Sequence, residues 1–473
     1  MLFTDPIFLF YFLPGTLLTM RLLTHNSVGR AFPGAARIAV FLLTCFFYGF
    51  REPWWLIPFL LCIVFDFFWA SRIHSEQRPE WRRFWLVMSV SQNLFLLGIF
   101  KYRAFFLDNL AALGWAPSLP GVLIEMKPLA LPAGISFYTF ESLSFVIDVY
   151  RREIAPPRSA SEFFGFIGMF PRFIAGPIVR YRDMVAQFAR FRGMQIEAGI
   201  FLFIYGLFIK IVFGDNFEVF TQYAFGRETV TFWSAWVGAA SYTFHIYFDF
   251  SGYSLMAIGL GRALGFQFPT NFNRPYLAVS AQDFWRRWHI SLSSWLRDYL
   301  YVSLGGNRKG KLRTYINLFL TMLLGGLWHG AAWHFALWGA FHGAWLAFER
   351  RFPFRAHLSS RVNWALTFGI VVVGWVLFRA ESVTECGQVL RAMLWPTQFG
   401  FNPEGLVTHP ISAAACALGL AHCFWFERRY EALVIEKMVT VTAARVWTAL
   451  AMLGSALVLG FSERTIPFIY FQF

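Results

Sequence analysis

The chain has 473 residues, 57% of them hydrophobic and only 14% charged, with a mean hydropathy of +0.50. This composition excludes an ordinary water-soluble domain and makes lipid the expected solvent. The formal net charge of +14 would suggest nucleic acid as a partner of a soluble protein, but here the Lys and Arg residues collect in short loops between apolar runs, as cytoplasmic loops do, and no nucleic-acid motif accompanies them.

A helix needs about 20 apolar residues to cross the hydrocarbon. Runs of that kind fall near residues 7–23, 36–50, 53–70, 84–100, 195–213, 231–248, 314–328, 331–348, 362–378, 410–427 and 443–461, with shorter or broken runs near 104–114, 129–147, 162–178 and 251–266. The expected fold is an all-α polytopic membrane protein of about ten to thirteen transmembrane helices, some of the broken runs being re-entrant. The first run follows Met1 without a basic segment and is expected to be retained as a helix. Arg21, Arg30 and Arg37 follow the first run, only Arg51 separates the second and third, and Arg72, Arg78, Arg82 and Arg83 follow the third. That alternation puts the N-terminus outside the cytoplasm. Aromatic residues make up 20% of the chain, with 59 Phe and 20 Trp, a supply of anchors for the headgroup region. Cys45, Cys62, Cys386, Cys416 and Cys423 show no C-x-x-C spacing and read as packing residues.

The cluster Phe170-Pro171-Arg172-Phe173-Ile174-Ala175-Gly176-Pro177 marks a broken or kinked helix. Farther on, Asp249 lies deep in apolar sequence and is expected to pair with an Arg or to line an ion path. From Asp283 to Leu300 the spacing predicts one amphipathic helix: at about 100° per residue, Trp285, Trp288, Leu292, Trp295 and Tyr299 form an aromatic keel. Arg286, His289, Ser293 and Arg297 form a second strip, centred about 125° away by the same arithmetic. Such a helix either lies in the interface with its arginines reaching headgroups or uses those arginines to hold the phosphates of a carrier or cofactor. The segment Leu304 to Lys311 lacks P-loop spacing and reads as a basic turn.

The run from Thr314 to Phe348 places His329 in apolar sequence, flanked by Gly325, Gly326 and Gly330, which allow close approach of a backbone or a substrate. Ionisable residues at such depth are functional candidates. Desolvation disfavours the imidazolium, so a neutral ring is available to accept a proton, as a general base for a hydroxyl nucleophile must. The competing role is a structural histidine bonded between helices. His329 and His334 are five residues apart, about 140° around a helix, and no nearby carboxylate completes a zinc site, so no metal is expected. No G-x-S-x-G elbow, G-x-G-x-x-G turn or reactive cysteine offers another catalytic template.

Asn271-Phe272-Asn273-Arg274-Pro275-Tyr276, Trp285-Arg286-Arg287-Trp288-His289-Ile290-Ser291 and Leu324-Gly325-Gly326-Leu327-Trp328-His329-Gly330, with Ile174-Ala175-Gly176-Pro177-Ile178 and Tyr470-Phe471-Gln472-Phe473, resemble the membrane-bound O-acyltransferase family, and more narrowly its bacterial alginate O-acetylation branch. The resemblance covers most of the chain from about Pro132 onward. It implies a single membrane domain over 1–473, with N-terminal helices in 1–125, a catalytic core in 126–350 and C-terminal helices in 351–473, built around a central tunnel. By the same resemblance His329 takes the catalytic position and His289 a second polar position, while Asn273, Arg274, Trp285, Arg286, Trp288, Ser293, Arg297 and Trp328 are expected to bind substrate or donor.

The implied donor is acetyl-CoA or another cytoplasmic acyl thioester, with no bound cofactor. The implied acceptor is an exopolysaccharide hydroxyl, reached directly or through a periplasmic acetyltransferase in a polysaccharide biosynthesis complex at the bacterial inner membrane. Family members often carry Gln at His245, an acid at Leu255 and Thr or Asn at His334, so those positions receive no catalytic role. A transporter or export component of a polysaccharide secretion complex is the alternative that many helices and the deep Asp66, Asp249 and His329 also fit.

Overall fold

A computed structural model describes residues 1–25, 34–115, 131–157, 159–173, 176–189, 193–395, 397–400, 407–427 and 442–460, and among these the regular elements are helices, with no strand. In hydrocarbon only a helix satisfies every backbone group within its own segment. Four helical runs, Pro53–Ser75, Pro79–Ala112, Ile196–Thr221 and Ser360–Arg379, are long and apolar enough to cross a membrane, and Phe8–Thr24, Ala35–Gly49, Pro410–Phe426 and Ala443–Leu459 are shorter apolar helices. The closing motif at Tyr470 to Phe473, and Ile174 and Ala175 of the earlier one, lie outside the described residues. The chain forms two compact units, residues 1–196 with 261–268 and residues 197–260 with 269–473.

The first unit contains α1 (Leu13–Thr24), α2 (Ala35–Gly49), α3 (Leu56–Ser75), α4 (Pro79–Leu97), α5 (Ile135–Tyr150) and the single turn α6 (Phe170–Phe173). Pro79 opens α4 at a position whose N–H would have no helical partner, and Glu80 places a carboxylate in its first turn. Polar groups tie the interior together. Asp66 of α3 accepts from Ser89 Oγ at 2.9 Å and Asn93 Nδ2 at 2.8 Å, both on α4. Arg172 of α6 pairs with Glu141 of α5, and Glu141 also accepts from the Val179 amide at 3.2 Å. The Pro and Gly cluster thus breaks the helix as its composition predicts and presents a buried guanidinium to a buried carboxylate.

The second unit contains α7 (Ile196–Phe208) but for its first residue, α8 (Asp215–Thr221), α9 (Phe232–Ala263) up to Leu260, α10 (Ala281–Arg287), α11 (Ile290–Trp295), α12 (Gly310–His329), α13 (Trp333–Arg351), α14 (Ser360–Arg379) and α15 (Pro410–Ala421). Between α7 and α8 the chain widens into a π-helical stretch, Ile209–Gly214, a distortion frequent at functional sites. It carries Lys210, whose ammonium lies 2.5 Å from Asp215 and 3.4 Å from Asp249. Among the described ion pairs Asp249 has a lysine as its partner, where the sequence suggested an arginine or an ion path.

α12 and α13 form a hairpin whose backbones touch. A Cβ on Gly326 would run into the Phe335 carbonyl oxygen, and one on Gly339 into that of Met322. The predicted single helix from Asp283 to Leu300 does not form. α10 ends at Arg287, Trp288 is extended, and His289 adopts the left-handed conformation (φ 42°, ψ 55°) before α11 begins and passes into a second π-helical stretch, Leu296–Tyr301. The break rotates everything after Trp288 out of the predicted register, so the strip of Arg286, His289, Ser293 and Arg297 is not one face. The basic segment after it is a turn, as its sequence predicts, spanning residues 302–309.

Candidate active site

His289 owes its position to two short helices that stop on either side of it. Ser280 caps α10 by accepting from the Asp283 amide at 3.0 Å, and the Asp283 carboxylate accepts in turn from the Val279 amide at 3.1 Å and from Arg287 Nε at 2.8 Å. The extended segment at residues 271–273 then clamps the junction: the Asn273 amide donates to the Arg287 carbonyl and the Ile290 amide to the Asn271 carbonyl, each at 2.9 Å. The imidazole is fully buried, stands perpendicular to Phe250 with ring centroids 4.7 Å apart, and shares a 3.1 Å hydrogen bond from Nδ1 with Asn271 Oδ1. It lies in a junction outside the spanning helices, and burial lowers its pKa from 6.5 to about 3, so the ring is neutral at physiological pH.

His329 is the last residue of α12, and the extended Gly330 ends that helix. Only 5% of its surface is exposed. Its imidazole is walled by Trp328, Trp338 and Phe378, with centroids 4.9, 5.1 and 5.2 Å away, all three at steep angles. Trp328 also approaches the His289 ring, at 6.4 Å. The two buried imidazoles therefore share one indole.

Trp338 leads onward to His342, one turn later on the same face of α13, with centroids 5.1 Å apart. Trp285 closes the cluster against both, 5.6 Å from Trp338 and 5.1 Å from His342. A small pocket borders the Asn271 end of the network, its wall including Tyr247, Ser251, Ser254, Asn271 and His422. Among the described residues no three His, Cys, Asp or Glu side chains are grouped as a metal site would require.

Two buried imidazoles that share an indole, His289 among them neutral, suit proton transfer to or from a hydroxyl. Comparison with known proteins supplies the reaction class. Residues 151–378 match the model of the membrane-bound O-acyltransferase family. The chain is 42% identical to the probable alginate O-acetylase AlgI of Pseudomonas aeruginosa, over 83% of this chain and 75% of that one. It is 37% identical to the protein of the same name from Azotobacter vinelandii over the whole of both chains. The chain belongs to the membrane-bound O-acyltransferase family. It is also 37% identical to the peptidoglycan O-acetyltransferase of Helicobacter pylori, over 83% of this chain and 80% of that one.

In this membrane-embedded O-acyltransferase the residues singled out from sequence fall into two groups. His289, Trp328, His329 and Trp285 belong to the aromatic cluster, and Trp288 packs beneath it, stacked on Phe284 and Tyr276 with centroids 5.7 and 6.1 Å away. Asn273, Arg286 and Arg297 are exposed, and Arg297 is paired with Asp298 at 2.7 Å. Arg274 is half-buried with a left-handed backbone, and Ser293 is spent on the Trp288 carbonyl at 3.1 Å. His334, left without a catalytic role, holds the Leu377 carbonyl through Nδ1 at 3.2 Å.

Sequence reasoning assigned no role to Asn271, Trp338 or Phe378, and weighed His342 only as a metal ligand. A signal existed for two of them, since Trp338 and His342 are four apart on one helix. For Phe378, on α14, only the packing of α12 to α14 brings it in.

Proposed function

We propose that this acyltransferase moves an acetyl group from acetyl-CoA, or another cytoplasmic thioester, to a hydroxyl of an alginate-like exopolysaccharide at the bacterial inner membrane, directly or through a periplasmic acetyltransferase. The reading draws on the names of its relatives for acetyl transfer to a polymer, and on one observation for the chemistry. His329 ends a helix in a buried aromatic enclosure that shares Trp328 with a second buried imidazole.

His329 takes the proton of the acceptor hydroxyl as that oxygen attacks the thioester carbonyl. The new C–O bond forms, the C–S bond breaks, and the proton passes to the departing sulfur. A water-poor enclosure strengthens each of these electrostatic steps. His289 acts as the second polar group, hydrogen-bonding the reacting atoms.

The test is acetyl transfer by purified full-length protein supplied with acetyl-CoA and polysaccharide, without a membrane gradient. His329→Ala is expected to lower the rate by about 10²- to 10⁴-fold, the usual cost of a lost general base, while the variant still inserts. Wild-type rates in that variant would remove His329 from the mechanism. Polymer flux without acetyl-CoA consumption by the wild type would replace acyl transfer with export.

A further inference from the structure

We infer that Asn271 is a positioning residue that locks His289 in the Nδ1–H tautomer and so leaves its Nε2 as the acceptor nitrogen. This rests on the reading of His289 as a participant in acyl transfer, but the tautomer itself can be measured independently of activity.

The Ser291 main-chain N–H can only donate, and it lies 3.3 Å from the terminal amide of Asn271. The atom facing it is therefore the oxygen, and Nδ2 points the other way, to Ser254 Oγ at 3.1 Å. Ser291 Oγ reaches the same Asn271 oxygen at 2.9 Å. His289 Nδ1 faces that oxygen at 3.1 Å. An unprotonated Nδ1 would oppose lone pair to lone pair, at a buried site where the 3.1 Å separation leaves no room for a water between the two atoms. Ser291 Oγ is a poor alternative donor to Nδ1 because it is 3.5 Å away. The proton therefore sits on Nδ1, and which nitrogen carries it decides what the other can do.

The same residue holds the backbone on which the ring is mounted. The Asn271 carbonyl accepts from the Ile290 amide at 2.9 Å, next to the left-handed His289. That main-chain bond survives any substitution of Asn271, so replacing the side chain isolates the control of the ring. Asn271→Asp keeps an acceptor toward both Ser291 N–H and Nδ1. Asn271→Leu removes it at similar volume.

The experiment uses the full chain in detergent with ¹⁵N-labelled histidine, two-bond ¹⁵N–¹H correlations reporting the tautomer and the His289 signals identified by their loss in His289→Gln. The wild type and Asn271→Asp are expected to show Nδ1–H, and Asn271→Leu to lose it. In parallel, Asn271→Leu is expected to lower kcat by about 10²-fold or more, in the range of a misplaced acid–base group, with KM changed by less than about threefold. Asn271→Asp is expected to recover most of that loss, which a purely structural role would not predict.

An Nε2–H signal in the wild type overturns the proposal, as does an unchanged tautomer or unchanged kcat in Asn271→Leu. The wild-type tautomer remains decisive if Asn271→Leu fails to fold. Full activity of His289→Gln would instead remove His289 from the reaction, while the tautomer measurement still tests the hold of Asn271 on the ring.

Discussion

His289 sits in a left-handed backbone conformation that few residues other than glycine adopt, although His is among the more tolerant. The strain is small, on the order of 1 to 3 kcal/mol, and the clamp of residues 271–273 opposes it. Burial depresses the pKa of its ring from 6.5 to about 3. Because the folded value lies below the unfolded one, the unfolded chain binds more protons in between, and stability that is complete above pH 6.5 is lost as the pH falls toward 3. Thermal unfolding in detergent from about pH 7 to about pH 4 should therefore show a shallower loss of Tm in His289→Asn than in the wild type. Equal slopes would show that the ring is not desolvated. His329 was legible from sequence as an ionisable residue in an apolar run, and His289 through the polar strip and family motif that carry it. Asn271 was not, since a polar side chain in a loop carries no sign of which ring it will hold.

At the scale of elements, α12 and α13 pack so closely that side chains are excluded at Gly326 and Gly339. Gly339→Leu is expected to push the hairpin apart, destabilising it by about 1 to 3 kcal/mol as overpacked cores do and displacing His329 at its end. Gly369→Ala, where a Cβ meets nothing within 4 Å, should be neutral or slightly stabilising. Detergent-phase Tm and acetyl-transfer rate for the two variants measure the difference, and equal tolerance of both would refute the close crossing. Lys210 offers a second test. Lys210→Met leaves the buried Asp249 and the half-buried Asp215 beside an apolar side chain, a loss of about 3 to 5 kcal/mol for a broken buried pair. Replacing Asp249 by Leu as well should restore part of it. Periodicity located α12, α13 and α14 well, because each is a long apolar run. It misjudged Asp283 to Leu300, where a register that looks helical from end to end is overridden by hydrogen bonds from residues 271–273.

At the scale of the molecule, the four membrane-length runs and apolar residues exposed on them, such as Phe65, Phe68, Phe84 and Leu366, require lipid contact. The protein should stay in the membrane pellet after high-salt and alkaline washes and leave it only in detergent. Release by salt alone would mean peripheral attachment through its basic loops.

The amino-acid sequence by itself determined the solvent and the helical class, and it singled out the two leading histidines as candidates. Hydrophobic period and residue chemistry are local properties, readable within one turn or one motif. Only the tertiary structure decided that the helix breaks at His289, that Lys210 pairs with Asp249, and that Trp338, His342 and Phe378 gather near His329. Most of these contacts join different elements across distances in sequence where no period applies, so they exist only once the helices have packed.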